Sequence, residues 1–251
     1  MKQLIGDIIK SLEVFRETKR IDYAKKSYPT KMQVLGVSVP NLKTVLKELK
    51  NQTKNYSIRD KIELAKELNR TSIFECQQLA FEYIGNDKNI SSQFNENDID
   101  ELEINLDNWL SVDYFGALIV GNSWRNHNIT IEKVKNYLDS KDFWIRRIAV
   151  VATVSLNQKA RGGTGDALQT LEICKHVVND HEDMIIKALS WALRELAKVE
   201  EQAVIEFIDY YKDKLHKKVL REVSNKIEIG TKNKSENQWE NLKIAKVVVC
   251  L

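Results

Sequence analysis

The distribution of proline is the sequence feature that most constrains the fold of this chain. The 251 residues include two prolines, Pro29 and Pro40, and both lie in the first fifth. Because proline lacks a backbone N–H and interrupts helices, its absence from the rest of the chain leaves helices possible throughout. That remainder is rich in Leu, Ile, Ala, Glu and Lys, which favour the helical state. We therefore expect an all-α protein.

Apolar residues recur at helical spacing along almost the whole chain, from the stripe Leu4, Ile8, Leu12 and Phe15 onward. Paired helices that recur about every 35 to 45 residues are typical of a HEAT-type solenoid, an α-α superhelix. We expect one HEAT-like repeat domain over residues 1–230 and a tail of undefined structure over residues 231–251. An irregular helical bundle is the alternative architecture.

The composition places the chain among folded proteins, with 43% hydrophobic and 30% charged residues. A net charge of +3 does not by itself indicate a nucleic-acid partner. Clustering of the cations on one face would be the indication of such a partner. No signal peptide is evident, and no apolar run reaches the roughly 20 residues of a membrane span. We expect a cytoplasmic protein without a membrane, metal or cofactor requirement. Its widely spaced thiols should be reduced and buried: Cys76, Cys174 and Cys250.

The segment 183–198 carries an unusual combination of residues. Helical geometry places Trp191 opposite the apolar face, with Lys187, Arg194 and Lys198 beside it. Cations bind phosphates and an indole can pack on a sugar or base, which favours nucleic-acid contact. The alternative is that a neighbouring repeat covers the indole. The expected core face consists of Ile185, Leu189, Ala192, Leu193 and Leu196.

Two earlier segments repeat this combination of aromatic and charged residues. Trp109 and Asp113 lie four residues apart, hence on one helix face, while Val112, Phe115, Gly116 and Ile119 can supply the packing face. The segment 143–147 places Arg146 and Arg147 beside an apolar stripe, after a helix start expected at Ser140. Three such segments in successive helix pairs would line one surface of a solenoid.

The glycine-rich stretch Ala160 to Gly165 predicts a flexible surface loop between helices. Its backbone amides could also contact phosphate. The surrounding sequence has no P-loop residues, so a plain loop is the favoured interpretation.

The chain resembles the AlkD-like DNA alkylation repair proteins between about residues 30 and 200. This resemblance implies an array of roughly six HEAT-like repeats whose concave, positively charged groove holds duplex DNA. The matching pieces, in order, are LGVSVP (35–40), FECQQLA (74–80), WLSVD (109–113), FWIRRIAV (143–150) and KALSWALRELAK (187–198).

The resemblance implies a DNA glycosylase that excises cationic N3- or N7-alkylated purines from duplex DNA. It assigns Trp109, Asp113 and Trp191 to a cleft that faces the lesion, and Arg147 to a DNA contact next to it. Further DNA contacts are expected from Arg146, Lys187, Arg194 and Lys198. The expected enzyme is a monomer that needs no cofactor and no metal.

These residue types suit that reaction. An alkylated cationic purine is already a good leaving group, so the site has to stabilise an oxocarbenium-like sugar and position a water molecule. Asp113 can do both, and the two indoles can hold the lesion nucleotide by packing and cation–π attraction, without flipping the base into a pocket.

Two positions depart from the family pattern. Leu110 stands where an acidic residue often follows the first cleft tryptophan, and Ser155 stands where a lysine is usual. These departures keep open the alternative of a non-catalytic HEAT-repeat protein that binds damaged or branched DNA. A HEAT-repeat scaffold that binds a protein partner is a second alternative, which the cations around Trp191 disfavour.

Overall fold

The chain is built from helices in the computed structural model, which describes residues 1–233. Within these residues the sole β-type pairing is one isolated parallel bridge between Gln33 and Ile73. The expectation of an all-α fold is confirmed. The α-helices are α1 (Lys2–Val14), α2 (Thr18–Ser27), α3 (Val39–Gln52), α4 (Ile58–Arg70), α5 (Phe74–Gly85), α6 (Lys88–Ser91), α7 (Glu96–Leu102), α8 (Trp109–Tyr114), α9 (Gly121–Arg125), α10 (Ile131–Asn136), α11 (Phe143–Ala152), α12 (Val154–Asn157), α13 (Ala167–Cys174), α14 (Asp183–Leu196), α15 (Glu201–Tyr210) and α16 (Lys217–Ile229).

Shorter helical turns complete the chain between some of these helices. A π-helical turn, Phe115–Val120, joins α8 to α9, so that Trp109 to Arg125 run as one helix. The 3-10 turns are Tyr137–Asp139, Lys159–Arg161 and Lys175–Val177.

Five helices give the fold its repeat. These helices, α5, α8 with its π-helical continuation, α11, α14 and α16, begin 34 to 40 residues apart at Phe74, Trp109, Phe143, Asp183 and Lys217. Each packs against the next one in the series. This order of packing is that of a helical repeat fold, in which each unit contacts its neighbours in sequence, rather than that of an irregular bundle.

The core runs through all of these helices. In α14 the five residues of the expected core face are buried, with at most 2% of their surface exposed. Cys76 and Cys174 are also buried, and burial raises the pKa of each thiol to about 12. Close packing of this kind fixes the helix positions and hence the side chains that project from them.

A buried carboxylate joins two of the sequence pieces that carry the family resemblance. Glu75 at the start of α5 accepts hydrogen bonds from the backbone amides of Leu35, Gly36 and Val37, at 3.0, 2.7 and 3.2 Å. Gly36 has φ +78°, and a Cβ there would lie 2.4 Å from the Glu17 carbonyl oxygen. The segment 35–37 therefore requires glycine at its turn, and it holds the first two helices against the remaining repeats.

Of the expected tail, 231–251, residues 234–251 lie outside the described part of the chain. The predicted domain, 1–230, lies within them. None of the described helices has the length and apolar character needed to cross a bilayer.

Candidate functional site

One cavity brings together the three residues expected at a lesion-facing site. It has a volume of about 580 Å3 and lies between α5, α8, α14 and the segment 158–161. We call it the central cleft. Its lining consists of Glu82, Asn86, Trp109, Leu110, Asp113, Tyr114, Leu118, Gln158, Ala160, Arg161 and Trp191.

Trp109 is held at the first turn of α8. The Asn108 side chain caps the helix by accepting from the amides of Leu110 and Ser111. The Trp109 indole Nε1 donates to the Ser27 carbonyl oxygen at 2.7 Å, and the ring meets that of Tyr28 edge to face. Hydrogen bonding and ring contact thus fix the orientation of the indole before any ligand binds.

Asp113 forms a two-pronged ion pair with Arg147 of α11. Arg147 Nε lies 2.8 Å from Asp113 Oδ1, and Nη2 lies 2.9 Å from Oδ2. The Asp113 side chain is 15% exposed and that of Arg147 is 6% exposed. Burial raises the pKa of Asp113 above its ordinary value, and the Arg147 charge opposes that rise. The guanidinium also donates to the Met184 carbonyl oxygen, which ties α11 to the start of α14.

The resemblance assigns Arg147 to a DNA contact next to the lesion. The structure buries its guanidinium against Asp113, with most of its donors engaged inside the protein. In this arrangement Arg147 orients and partly neutralises the Asp113 carboxylate.

A second carboxylate in the central cleft was not identified from the sequence. Glu82 of α5 accepts a hydrogen bond from the Tyr114 hydroxyl at 2.9 Å. Burial and the neighbouring Glu82 charge raise the pKa of Tyr114. Within residues 1–233, Glu82 forms no ion pair, so its negative charge is less compensated than that of Asp113.

A π-helical turn, Phe115–Val120, follows Asp113 and Tyr114 directly. Such turns insert an extra residue into a helix and shift the faces on which later side chains lie. Here the residues after the cleft side chains are all buried, including Phe115, Gly116 and Ile119 of the expected packing face. The turn therefore lets one helix present Asp113 to the cleft and then bury its continuation.

Trp191 projects from α14 into the same cleft and is half-buried. Its position combines two expectations, since the ring lies off the core face of α14 yet packs partly against its neighbours. The two indoles thus come from helices two repeats apart and line one cavity with Asp113.

The other cations expected at a DNA-binding surface are largely paired with carboxylates. Arg146 contacts Asp180 at 3.0 Å, Lys187 contacts Asp183 at 2.6 Å, and Lys198 contacts Glu195 at 2.7 Å. Arg194 donates to the Ser190 hydroxyl at 3.2 Å, and burial lowers its pKa.

The two departures from the family pattern have different surroundings. Leu110 lines the central cleft and makes that part of its wall apolar. Ser155 is fully buried where α9 crosses α12, and a Cβ on Gly121 would lie 2.8 Å from the Ser155 side chain. The longer side chain of lysine would not fit there. The Arg125 guanidinium donates to the Ser155 carbonyl oxygen at 3.0 Å, so a cation still lies beside this position.

A second, smaller cavity adjoins the central cleft and shares the wall residues Asn86, Leu118, Ala160 and Arg161 with it. Its volume is about 210 Å3. We call it the cationic pocket, after the four basic residues in its lining: Lys88, Arg125, Lys159 and Arg161. No sequence signal grouped these residues, because they come from three separate segments and each stands without a motif.

Among residues 1–233, no group of three or more His, Cys, Asp and Glu side chains is arranged to hold a metal ion. The charged side chains of the central cleft are those of Glu82, Asp113 and Arg161.

Comparison with known proteins identifies the family. The family model for "DNA alkylation repair enzyme" matches residues 8–227. A solved structure described as a predicted DNA alkylation repair enzyme from Enterococcus faecalis is similar, with a TM-score of 0.65 and 18% sequence identity over 86% of this chain and 98% of that chain. No curated protein matches the chain significantly. The family match spans nearly all of the described helices, and the chain belongs to the DNA alkylation repair enzyme family.

Proposed function

We propose that this protein is a DNA glycosylase that hydrolyses the N-glycosidic bond of cationic N3- or N7-alkylated purines in duplex DNA. The observation that carries the proposal is that Asp113, Trp109 and Trp191 line one cavity. Membership of a family of DNA alkylation repair enzymes supports a role in repair of alkylated DNA. The choice of glycosylase chemistry depends on the site.

The proposed reaction asks little of the leaving group. A purine alkylated at N3 or N7 carries a positive charge and departs as a neutral base, so no protonation by the enzyme is required. The barrier that remains comes from the positive charge that develops on the deoxyribose and from the placement of a water molecule. Carboxylates in a partly dehydrated cleft match both needs.

Asp113 is the proposed catalytic residue. A unit charge pair about 4 Å apart is worth roughly 4 kcal/mol at an effective dielectric constant of 20, or about a thousandfold in rate. Arg147 offsets part of this charge but fixes the carboxylate in place. Each carboxylate oxygen has two acceptor sites, so one pairing with Arg147 leaves a site on each oxygen for water.

Trp109 and Trp191 are proposed to hold the lesion nucleotide. Their faces attract a cationic base or sugar by about 0.5–2 kcal/mol each, beyond simple packing. Trp109 needs no rearrangement for this role because its ring is already fixed by Ser27 and Tyr28. We propose that the contacts are to the sugar and backbone, without a pocket that reads a flipped base.

Glu82 adds a negative charge to the same cavity. A cationic purine is favoured over a neutral one wherever such a charge lies within a few ångströms. This carboxylate, which has no ion-pair partner within residues 1–233, therefore supports selection of cationic lesions by the site.

The second candidate is a non-catalytic protein that binds damaged or branched DNA through the same cleft. It is favoured by the pairing of Asp113 with Arg147, because a neutralised carboxylate stabilises a sugar cation less than a free one. The two candidates differ in whether a base is released.

The test is release of free 7-methylguanine from methylated duplex DNA by the purified protein, measured by chromatography of the small-molecule fraction. We expect base release above the spontaneous rate, with an abasic site left in the duplex. DNA binding together with base release that does not exceed the spontaneous rate would favour the non-catalytic candidate. A protein that neither binds the duplex nor releases the base would contradict both candidates.

A further inference from the structure

The cationic pocket concentrates positive charge without a matching carboxylate. Its lining includes Lys88 from α6, Arg125 from α9, and Lys159 and Arg161 from the 3-10 turn, but no Asp or Glu. Within residues 1–233, none of the four forms an ion pair with a carboxylate. By contrast, Lys187 of α14, Lys198 just after that helix and the two arginines of α11 pair with acids.

The basic groups converge on one backbone position. A Cβ placed on Gly162 would lie 3.8 Å from Arg125 Cζ and 4.0 Å from Lys88 Cε. Gly162 has φ +90°, a conformation that side chains other than that of glycine rarely adopt. The glycine therefore allows the turn and leaves the space between the two cations open.

Arg125 is half-buried beside a second arginine. Burial and the Arg161 charge both lower the pKa of Arg125. One of its donors bonds the Ser155 carbonyl oxygen, and Arg161 bonds the Gln158 side chain at 2.6 Å. Like charges held together in this way are unfavourable unless an anion lies between them.

The nearest acidic residue along the chain does not neutralise the pocket. Asp87 directs its carboxylate to the amides of Asn89 and Ile90, where it caps α6. Asn122 also lines the pocket, but its Nδ2 donates to the Gly85 carbonyl oxygen and its free Oδ1 is an acceptor, so this side chain does not contribute to anion binding. The case for an anion therefore depends on the four basic side chains.

The backbone amides of the glycine-rich loop do not supply the pocket. Gly162, Gly163 and Gly165 donate their amide protons to the carbonyl oxygens of Lys159, Gln158 and Leu156. The alternative of a phosphate contact through these amides is therefore not available, and the 3-10 turn that opens the loop contributes the side chains of Lys159 and Arg161 to the pocket.

We propose that the cationic pocket binds a phosphate group, held by Lys88, Arg125, Lys159 and Arg161. Planar guanidinium groups and lysine ammonium groups are the side chains that best bind phosphate oxygens. The pocket shares a wall with the central cleft, so the phosphate of a DNA backbone bound at that cleft can reach it. A free or terminal phosphate has the same chemistry. The assignment to backbone phosphate rests on the proposed function, whereas the phosphate site itself does not.

The first arm of the test uses inorganic phosphate alone. Thermal unfolding of the full chain is followed at rising phosphate concentration, with chloride added to hold the ionic strength constant. At about ten times the dissociation constant, we expect the unfolding temperature to rise by about 3 °C. The variant K88Q/K159Q should lose this rise. The control K212Q/K214Q removes two charges from a segment that lines neither cavity and should keep it.

The second arm uses undamaged duplex DNA, so that it does not depend on base excision. The slope of log Kobs against log salt concentration should fall in magnitude by about 0.9 in K88Q/K159Q, as expected for one lost phosphate contact, and stay unchanged in the control. If K88Q/K159Q loses the phosphate-dependent rise in unfolding temperature and also shows a smaller salt slope, the pocket binds a backbone phosphate. If it loses the rise but keeps the parental salt slope, the pocket binds a free or terminal phosphate. No phosphate effect together with an unchanged slope would overturn the proposal. Absence of base release alongside a positive result in either arm would reject the glycosylase but not the pocket.

Discussion

The two adjoining cavities differ most in how their charges are balanced. In the central cleft, the Asp113 carboxylate meets Arg147 within 3 Å at both oxygens, and aromatic rings form much of the wall. In the cationic pocket, four basic side chains meet without a described carboxylate. A balanced, rigid charge suits the positioning of a reacting group, whereas an unbalanced cluster suits the binding of an anion. The proposed reaction and the proposed phosphate binding would thus occupy two adjoining cavities that share one wall.

The largest expected effect is on Asp113. The substitution Asp113→Asn keeps the shape of the side chain but removes its charge. We therefore expect excision of 7-methylguanine to fall by about a thousandfold while affinity for undamaged duplex changes less than threefold. Single-turnover kinetics and a binding titration measure the two quantities.

Asp107→Asn is the matched control for this substitution. Asp107 lies two residues before Trp109 but binds Thr30 and the Lys31 amide outside the cleft. Loss of excision in the control alone, or parental excision by Asp113→Asn, would place the chemistry elsewhere.

A smaller effect is expected at Trp191. Trp191→Leu keeps an apolar side chain but removes the aromatic face. Loss of a cation–π contact of about 0.5–2 kcal/mol predicts a 2- to 30-fold lower kcat/KM on alkylated DNA. Trp144→Leu, on a half-buried indole outside the cleft, provides the control. Equal losses in both variants would indicate a general packing effect instead.

The pH dependence tests the role of Arg147. Burial raises the pKa of Asp113 and Arg147 lowers it, so Arg147→Gln should raise that pKa further. A larger fraction of Asp113 is then protonated at a given acidic pH. The acidic limb of the excision profile should move to higher pH, with the greatest loss of activity at low pH.

The Arg147→Gln experiment needs a suitable temperature and a control variant. Removing one partner of a buried ion pair destabilises proteins by about 3–5 kcal/mol, so the profile is recorded well below the unfolding temperature. Arg146→Gln, which leaves the Asp113 pair intact, should keep the parental limb. If the acidic limb does not move in Arg147→Gln, protonation of Asp113 does not cause the loss of activity at low pH.

The smallest effect is expected at Lys187 in α14 and at Lys198 just after that helix. Lys187 and Lys198 are exposed and already paired with Asp183 and Glu195, so a phosphate has to compete with these carboxylates. Lys187→Gln/Lys198→Gln should therefore change the salt slope of duplex binding by less than the 0.9 expected for the two lysines of the cationic pocket. A larger change in this variant than in K88Q/K159Q would show that Lys187 and Lys198, and not the cationic pocket, provide the main phosphate contacts.

The sequence predicted the helical fold from periodicity, whereas the family resemblance assigned the three cleft residues to one site. The absence of proline and the apolar stripes are local properties that each helix carries within itself. Helix geometry placed Trp109 and Asp113 four residues apart on one face and Trp191 off the core face of α14, but it left open whether a neighbouring repeat covers Trp191. Only the resemblance grouped the three residues in one cleft.

Pairings across repeats could not be predicted in the same way. The contact of Arg147 with Asp113, and that of Tyr114 with Glu82, joins residues 34 and 32 positions apart. Such contacts depend on the angle at which adjacent helices pack, which a single sequence does not give. The same reason explains why Lys88, Arg125, Lys159 and Arg161 were not recognised as a group.

The residue that begins a helix is also hard to predict from the sequence when two capping residues lie close together. Ser140 was expected to begin the helix that carries Arg147, but Asp142 caps it by accepting from the Trp144 amide. The Ser140 hydroxyl instead accepts from the Asp142 amide and shapes the preceding turn. Two good capping residues two positions apart compete, and the tertiary packing selects between them.

The most direct test of the division between the two cavities is a crystal structure of Asp113→Asn bound to a duplex that contains a hydrolysis-resistant alkylated purine nucleotide. We expect the damaged nucleotide to lie between the indoles of Trp109 and Trp191, with its sugar beside residue 113. A neighbouring phosphate should lie among Lys88, Arg125, Lys159 and Arg161. A duplex bound on another face, with both cavities free of DNA, would contradict this expectation.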